Sequence, residues 1–196
     1  MRAGRKVGER SPRTGWRGVH RFALRVSAAG ALATVPLLAT AVPAYAVTSV
    51  SAAENVLNIE SGSASDDLTI SVDSSGRFTV TNTADTLVPG VGCRTVTAHK
   101  VRCSGTGITG IAIITAGGDD AVRNDTALTT AATLGPGDDT YIGGSARDVV
   151  VGGAGDDTIE GRGGPDVIIG GEGTDQADGG AGSDLCLADI ETGCEI

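Results

Sequence analysis

Apolar and polar positions change rhythm three times along this 196-residue chain. From residue 47 to 115 short runs alternate the two kinds, as in Leu68-Thr69-Ile70-Ser71-Val72 and Phe78-Thr79-Val80. A period of two sends successive side chains to opposite faces of an extended backbone, so these runs predict half-buried β-strands. They are Val56–Ile59, Leu68–Val72, Arg77–Thr81, Thr95–Arg102 and Ile108–Thr115, separated by Gly, Ser, Asn and Asp. Ser74-Ser75-Gly76 reads as a hairpin turn between two of them. No segment after residue 46 keeps a helical period.

From residue 134 the rhythm is nine. Six nonapeptides follow without insertion or deletion: Leu134–Ile142, Gly143–Val151, Gly152–Glu160, Gly161–Ile169, Gly170–Asp178 and Gly179–Leu187. The sixth place is always aspartate: Asp139, Asp148, Asp157, Asp166, Asp175 and Asp184. Glycine holds the first, second and fourth places in five of six copies each. The eighth place carries Tyr141, Val150, Ile159, Ile168, Ala177 and Cys186. Residues 116–133 lead into the array, since Ile113–Asp120 resembles Ala132–Asp139 at an offset of 19. A flexible Gly/Asp linker would have this composition but no reason to keep the phase, whereas a repeating backbone keeps it.

The array resembles the hemolysin-type, or repeats-in-toxin (RTX), calcium-binding nonapeptide G-G-x-G-x-D-x-U-x, with U a large apolar residue. The match is clearest in Gly152-Gly153-Ala154-Gly155-Asp156-Asp157-Thr158-Ile159-Glu160. The resemblance implies an all-β fold, a right-handed parallel β-roll or solenoid, preceded by the short-stranded β-region. Six residues of each copy would form a turn and three a strand, with two copies to a coil. One edge would then stack Asp139, Asp157 and Asp175, with Asp120 as an earlier rung, and the other Asp148, Asp166 and Asp184.

Calcium is the implied cofactor, held between neighbouring turns of one edge. Its ligands would be the Asp carboxylates and the backbone carbonyls of Gly135, Gly137, Gly144, Gly153, Gly155, Gly164, Gly171, Gly173, Gly180 and Gly182. Such an all-oxygen set suits a hard cation, and two gaps per edge give about four positions. Two carboxylates about 5 Å apart repel by roughly 3 kcal/mol at an effective dielectric near 20. The repeats are therefore expected to be marginal without calcium and to fold on binding it. Ala146, Arg147, Arg162 and Pro165 depart from the pattern, all on the Asp148/Asp166 edge, which makes that position the weakest.

Charge agrees with a cationic ligand. Residues 1–46 hold eight of the 15 Lys+Arg and one of the 24 Asp+Glu, so the remainder has seven basic and 23 acidic residues, a net charge of −16. Nucleic acid and anionic membranes need positive charge and are poor partners. Residues 1–25 are basic, Val26–Val42 is apolar, and Pro43-Ala44-Tyr45-Ala46 ends in a small-x-small signature. Together these describe a secretory signal peptide, so the chain is expected to be extracellular, with no membrane span once the leader is removed. In that compartment disulfides are expected, and the spacing favours Cys93–Cys103 and Cys186–Cys194, with zinc as the alternative.

Catalytic motifs are missing: there is no zinc-protease helix, nucleophile elbow or phosphate loop. His99 is the single histidine beyond the leader. The acid pairs Asp66-Asp67 and Asp119-Asp120 read as degenerate calcium turns or solvated loop charges, and Asn124-Asp125-Thr126 fits the glycosylation pattern. The expected organisation is a leader over 1–46, a β-rich region over 47–115 with irregular solenoid coils as one reading of it, a calcium roll over 116–187, and a disulfide-pinned cap over 188–196. The expected function is non-enzymatic calcium binding outside the cell. The competing expectation is an adhesion or matrix protein whose roll is a stalk for a binding module in 47–115.

Overall fold

The computed structural model describes residues 47–195; the expected leader, residues 1–46, and Ile196 lie outside them. No helix occurs among the described residues. In chain order the strands are β1 (Val47–Ala53), β2 (Val56–Glu60), β3 (Asp67–Val72), β4 (Phe78–Asn82), β5 (Thr86–Pro89), β6 (Cys93–Thr97), β7 (Lys100–Cys103) and β8 (Gly110–Ile114). There follow β9 (Ala121–Asp125), β10 (Thr129–Pro136), β11 (Thr140–Ile142), β12 (Asp148–Ala154), β13 (Thr158–Glu160), β14 (Val167–Glu172), β15 (Gln176–Asp178), β16 (Leu185–Leu187) and β17 (Ile190–Thr192).

From β8 onward the chain shuttles between two sheets. Strands β8, β10, β12, β14 and β16 stack in parallel in one, and β9, β11, β13, β15 and β17 in the other. Tyr141 pairs with Ile159 and Val150 with Ile168, each one full coil of two nonapeptides away. This is a parallel β-roll, and its parallel ladders follow from repeating the same turn twice per coil.

The roll starts well before the clean repeats. β2 pairs in parallel with β8 (Leu57 with Ile111) and β3 with β9 (Leu68 with Val122). Residues 56–72 are thus a coil of the same roll, and residues 73–109 are an insertion that separates it from the next. Within the insertion β4 pairs antiparallel with β3, β7 antiparallel with β4, and β6 antiparallel with β7 at the sheet's edge. β1 turns back on β2, and β5 pairs with β1 at the edge of the other sheet. The run Thr95–Arg102, which reads as one strand, is two strands joined by a turn at Ala98-His99. His99 closes that turn, its Nδ1 2.9 Å from the Asp85 carbonyl and 3.2 Å from that of Asn82.

The core is a thin seam between the sheets. One column runs Ile59, Ile113, Ala132, Val150 and Ile168; the facing one runs Leu68, Val122, Tyr141, Ile159 and Ala177, all buried. The first coils bury two large apolar side chains per sheet, as with Leu57 and Ile59, but each coil of the clean repeats adds about one, worth roughly 1.5–3 kcal/mol. That is a slim return for ordering so many glycines. The seam fades at its C-terminal end, where half-buried Cys186 and exposed Glu191 continue the two columns. The tail after residue 187 adds β17 in parallel beside β15 as the last strand of its sheet, and the Cys186–Cys194 disulfide ties it to β16.

Candidate metal centre

The sixth-place aspartates are the most conspicuous buried polar groups. Asp139, Asp148, Asp157, Asp166, Asp175 and Asp184 are each no more than 1% exposed, and Asp66 and Asp120 are each 3% exposed. Burying a carboxylate is costly unless something holds it. Here one oxygen is held by the coil before. The N–H of Asp139 donates to Asp157 Oδ1 (2.9 Å) and that of Asp157 to Asp175 Oδ1 (3.0 Å). On the opposite edge Asp148 N–H donates to Asp166 Oδ1 (2.7 Å) and Asp166 N–H to Asp184 Oδ1 (2.8 Å). The two edges expected from the spacing are thus two ladders.

The first ladder is longer than the repeats. Asp66 N–H donates to Asp120 Oδ1 and Asp120 N–H to Asp139 Oδ1, both at 2.8 Å. Asp189 accepts from Asp175 N–H (3.0 Å) and so ends this row, while Glu195 accepts from Asp184 N–H and ends the other. Asp66 lies 54 residues before Asp120, across the insertion, and the 19-residue step from Asp120 to Asp139 leaves both one place off the nine-residue phase. Its trace in the sequence is the fragment Asp66-Asp67-Leu68, an aspartate with a large apolar residue two places on. A second, exposed row runs along this edge only. Asp138 N–H donates to Asp119 Oδ1 (3.0 Å), Asp156 N–H to Asp138 Oδ1 (2.9 Å) and Thr174 N–H to Asp156 Oδ1 (2.8 Å).

The second oxygen of most rungs has no partner. Oδ2 of Asp66, Asp120, Asp139, Asp157, Asp166 and Asp184, and Oδ1 of Asp148, are buried without a hydrogen bond. Burial raises the affinity of these groups for a proton, and neighbouring rungs add to it. Asp139 and Asp166 are pushed up to about 7 and Asp120 to about 6, first by burial and then, against their hydrogen bonds, by adjacent carboxylates. Burial likewise raises Asp148 and Asp157.

The turn glycines shape the space beside these oxygens. A side-chain carbon at Gly152 would overlap Asp157 Oδ2 and lie 2.7 Å from the Gly170 carbonyl oxygen of the next coil. On the other edge, one at Gly161 would overlap Asp166 Oδ2 and lie 2.8 Å from the Gly179 carbonyl oxygen. Carboxylate and carbonyl oxygens therefore converge where the missing side chain leaves room, and these first-place carbonyls are donors the sequence does not single out. Of the ten glycines expected to offer carbonyls, Gly135, Gly137, Gly153, Gly155, Gly164, Gly171, Gly173 and Gly180 have positive φ. Gly144 and Gly182 do not; they are glycine because a side chain would strike the Thr126 and Gly164 carbonyls.

No group of three or more His, Cys, Asp or Glu side chains converges among the described residues. A cation here would rest on one or two carboxylates completed by backbone carbonyls. Such an oxygen set fits calcium, which accepts six to eight flexible oxygen ligands, better than magnesium, which demands a tight octahedron. The cysteines form the two disulfides Cys93–Cys103 and Cys186–Cys194 and are not free for zinc. Asn124 is fully buried and bonded to Thr130 and Thr126, which withdraws it from glycosylation.

The departures cluster as their positions imply. Arg162 takes the second place with φ 68° and turns its guanidinium to Asp125 (3.3 Å) and Glu160 (3.6 Å). Asp148 spends Oδ2 on the N–H of Gly144 (3.0 Å) within its own turn. The buried Tyr141 hydroxyl lacks a well-formed hydrogen bond and faces Thr130 and Asp148, and burial with the nearby Asp148 charge holds it well above the usual phenol range.

No curated protein and no solved structure matches this chain. Residues 133–167 and 151–186 match the family described as RTX calcium-binding nonapeptide repeat (4 copies). The array over residues 133–186, and with it the two ladders at its turns, is a run of RTX calcium-binding nonapeptide repeats.

Proposed function

We propose that this chain is a secreted, non-enzymatic calcium-binding protein whose roll takes Ca2+ between successive turns of both edges and folds as it does so. The observation that carries the reading is the row of buried carboxylate oxygens without partners, repeated on both edges. A cation beside each would replace repulsion by ligation, and its binding energy would become folding energy. The side-chain ligands would be Asp139, Asp157 and Asp175 on one edge and Asp148, Asp166 and Asp184 on the other, with Asp120 and Asp66 extending the first. The turn carbonyls complete each set. Export is supported by the two disulfides, which persist in oxidising compartments, and by the basic-apolar leader pattern of residues 1–46.

Extracellular calcium modules work at roughly 0.1–1 mM, and the same range is expected here. Far-UV circular dichroism tests the folding claim. In chelator the strand signal should be weak, and millimolar calcium should restore it cooperatively. A spectrum indifferent to calcium would refute the reading.

A further inference from the structure

The insertion over residues 73–109 carries a face opposite in charge to the rest of the roll. Four of the seven Lys and Arg beyond residue 46 lie in it: Arg77, Arg94, Lys100 and Arg102. Its two acids are Asp73 and Asp85, and Asp85 is buried. The strand register places these cations together. Arg94 stands directly opposite Arg102 across β6 and β7, while Arg102 stands opposite Thr79 and Lys100 opposite Thr81 across β7 and β4. Residues opposite one another or two apart share a face, so Arg94, Arg102, Lys100 and Arg77 all lie on one side. The reverse side presents Phe78, Val80, Val101 and Cys103 to the core.

Like charges directly opposite on a sheet work against folding. Among the described residues Arg77 pairs with Asp73 (2.9 Å), but no carboxylate is within ion-pair distance of Arg94, Lys100 or Arg102. Arg77, Arg94, Arg102 and Ser104 line an open cleft of about 290 Å³ beside Gly92 and the Cys93–Cys103 disulfide. The Nε of Arg102 is buried without an acceptor, so its outer guanidinium N–H groups are the donors available to the cleft. Two arginines directly opposed without a carboxylate partner, set in a cleft at the open edge of a sheet, are what an oxyanion would stabilise. Forked guanidinium donors match the oxygens of a sulfate or phosphate group.

We propose that this cleft binds a tetrahedral oxyanion, a sulfate or phosphate group, free or carried on a polyanion. The net charge of −16 beyond the leader repels polyanions from the rest of the molecule, so capture is confined to this face. The proposal uses no calcium ligand and stands apart from the calcium reading.

The test uses the full calcium-loaded chain with dextran sulfate and inorganic sulfate as probes. Dextran sulfate should bind and weaken steeply with salt. The double variant Arg94→Gln/Arg102→Gln should lower the affinity about tenfold or more. The same variant should keep the calcium isotherm of the parent, which shows that it is folded. If inorganic sulfate displaces the polymer, a single oxyanion suffices; if it does not, the polymer is the ligand, and either result supports the cleft. Absent binding, or equal binding by parent and variant, overturns the proposal. So does self-association abolished by the substitutions, which would give the face to the acidic roll of a second copy.

Discussion

The two edges of the roll are made from the same nine-residue unit, yet they carry charge differently. One edge is a continuous aspartate ladder from Asp66 through Asp120, Asp139, Asp157 and Asp175 to Asp189, with the exposed row Asp119, Asp138 and Asp156 beside it. The other holds Asp148, Asp166 and Asp184, ends on Glu195, and has Arg147, Pro165 and Ser183 where the first edge has its outer acids. Below Asp148 the ladder holds no further carboxylate; the register places the buried Thr130 there. The same backbone can therefore be tuned edge by edge through the fifth place of the turn and through what lies beneath the first rung. The longer, more acidic edge has the greater need of cations and the larger number of gaps to hold them.

Substitutions at the second place of the turn should separate the edges most. Gly153→Ala adds a carbon that overlaps the Gly135 carbonyl at φ 142°, and should cost about 3 kcal/mol or more in calcium-loaded unfolding. Arg162→Gly, at the same place on the other edge, relieves φ 68° and should change stability by less than about 1 kcal/mol, in the favourable direction. Equal losses at both would mean the edges are equivalent.

Removing charge from one rung is the next largest effect. Asp157→Asn leaves a rung between two other aspartates and should reduce calcium-linked stability by about 2 kcal/mol, read from thermal unfolding with and without calcium. Asp148→Asn should cost less than half as much. Its carboxylate is partly served by the Gly144 N–H, and no carboxylate stacks below it.

Acidity should act on calcium-free and calcium-bound protein in opposite senses. The folded values of Asp139 and Asp166 (about 7) and Asp120 (about 6) lie above the ordinary carboxylate value, so the folded state holds extra protons between pH 4 and 7. The stability they contribute is complete below about pH 4 and lost as pH rises through 6 to 7. Calcium-free protein should thus hold more strand signal at pH 5 than at pH 8, while calcium affinity should rise over the same window because the cation displaces those protons. A strand signal of the calcium-free form that climbs with pH would contradict the burial of these groups.

The smallest effect expected is from Tyr141→Phe. It removes a buried hydroxyl without a well-formed bond beside Asp148, and should leave stability unchanged or raise it by up to about 1 kcal/mol without touching the first edge.

Much of this architecture is written in the chain as phase. The sixth-place aspartates and eighth-place apolar residues fix the turns, the two edges and the facing core columns, because a repeating backbone returns each side chain to the same place. What broke the phase was hidden. The coil at Asp66 is legible only as a degenerate turn, since 54 residues without repeats separate it from Asp120 and the 19-residue step from Asp120 to Asp139 slips the phase by one. The division of Thr95–Arg102 was equally hidden, because Ala98-His99 carries no glycine or proline and its turn is held by distant carbonyls of Asn82 and Asp85. The first-place carbonyls escaped notice because their role depends on the coil above, which no single nonapeptide reveals.

Isothermal titration of calcium into residues 47–196 tests the central claim most directly. With four gaps between Asp66, Asp120, Asp139, Asp157 and Asp175 and two between Asp148, Asp166 and Asp184, the account predicts about six equivalents, bound at roughly 0.1–1 mM with proton release near neutral pH. Binding of no calcium, or of a single equivalent without proton release, would contradict it.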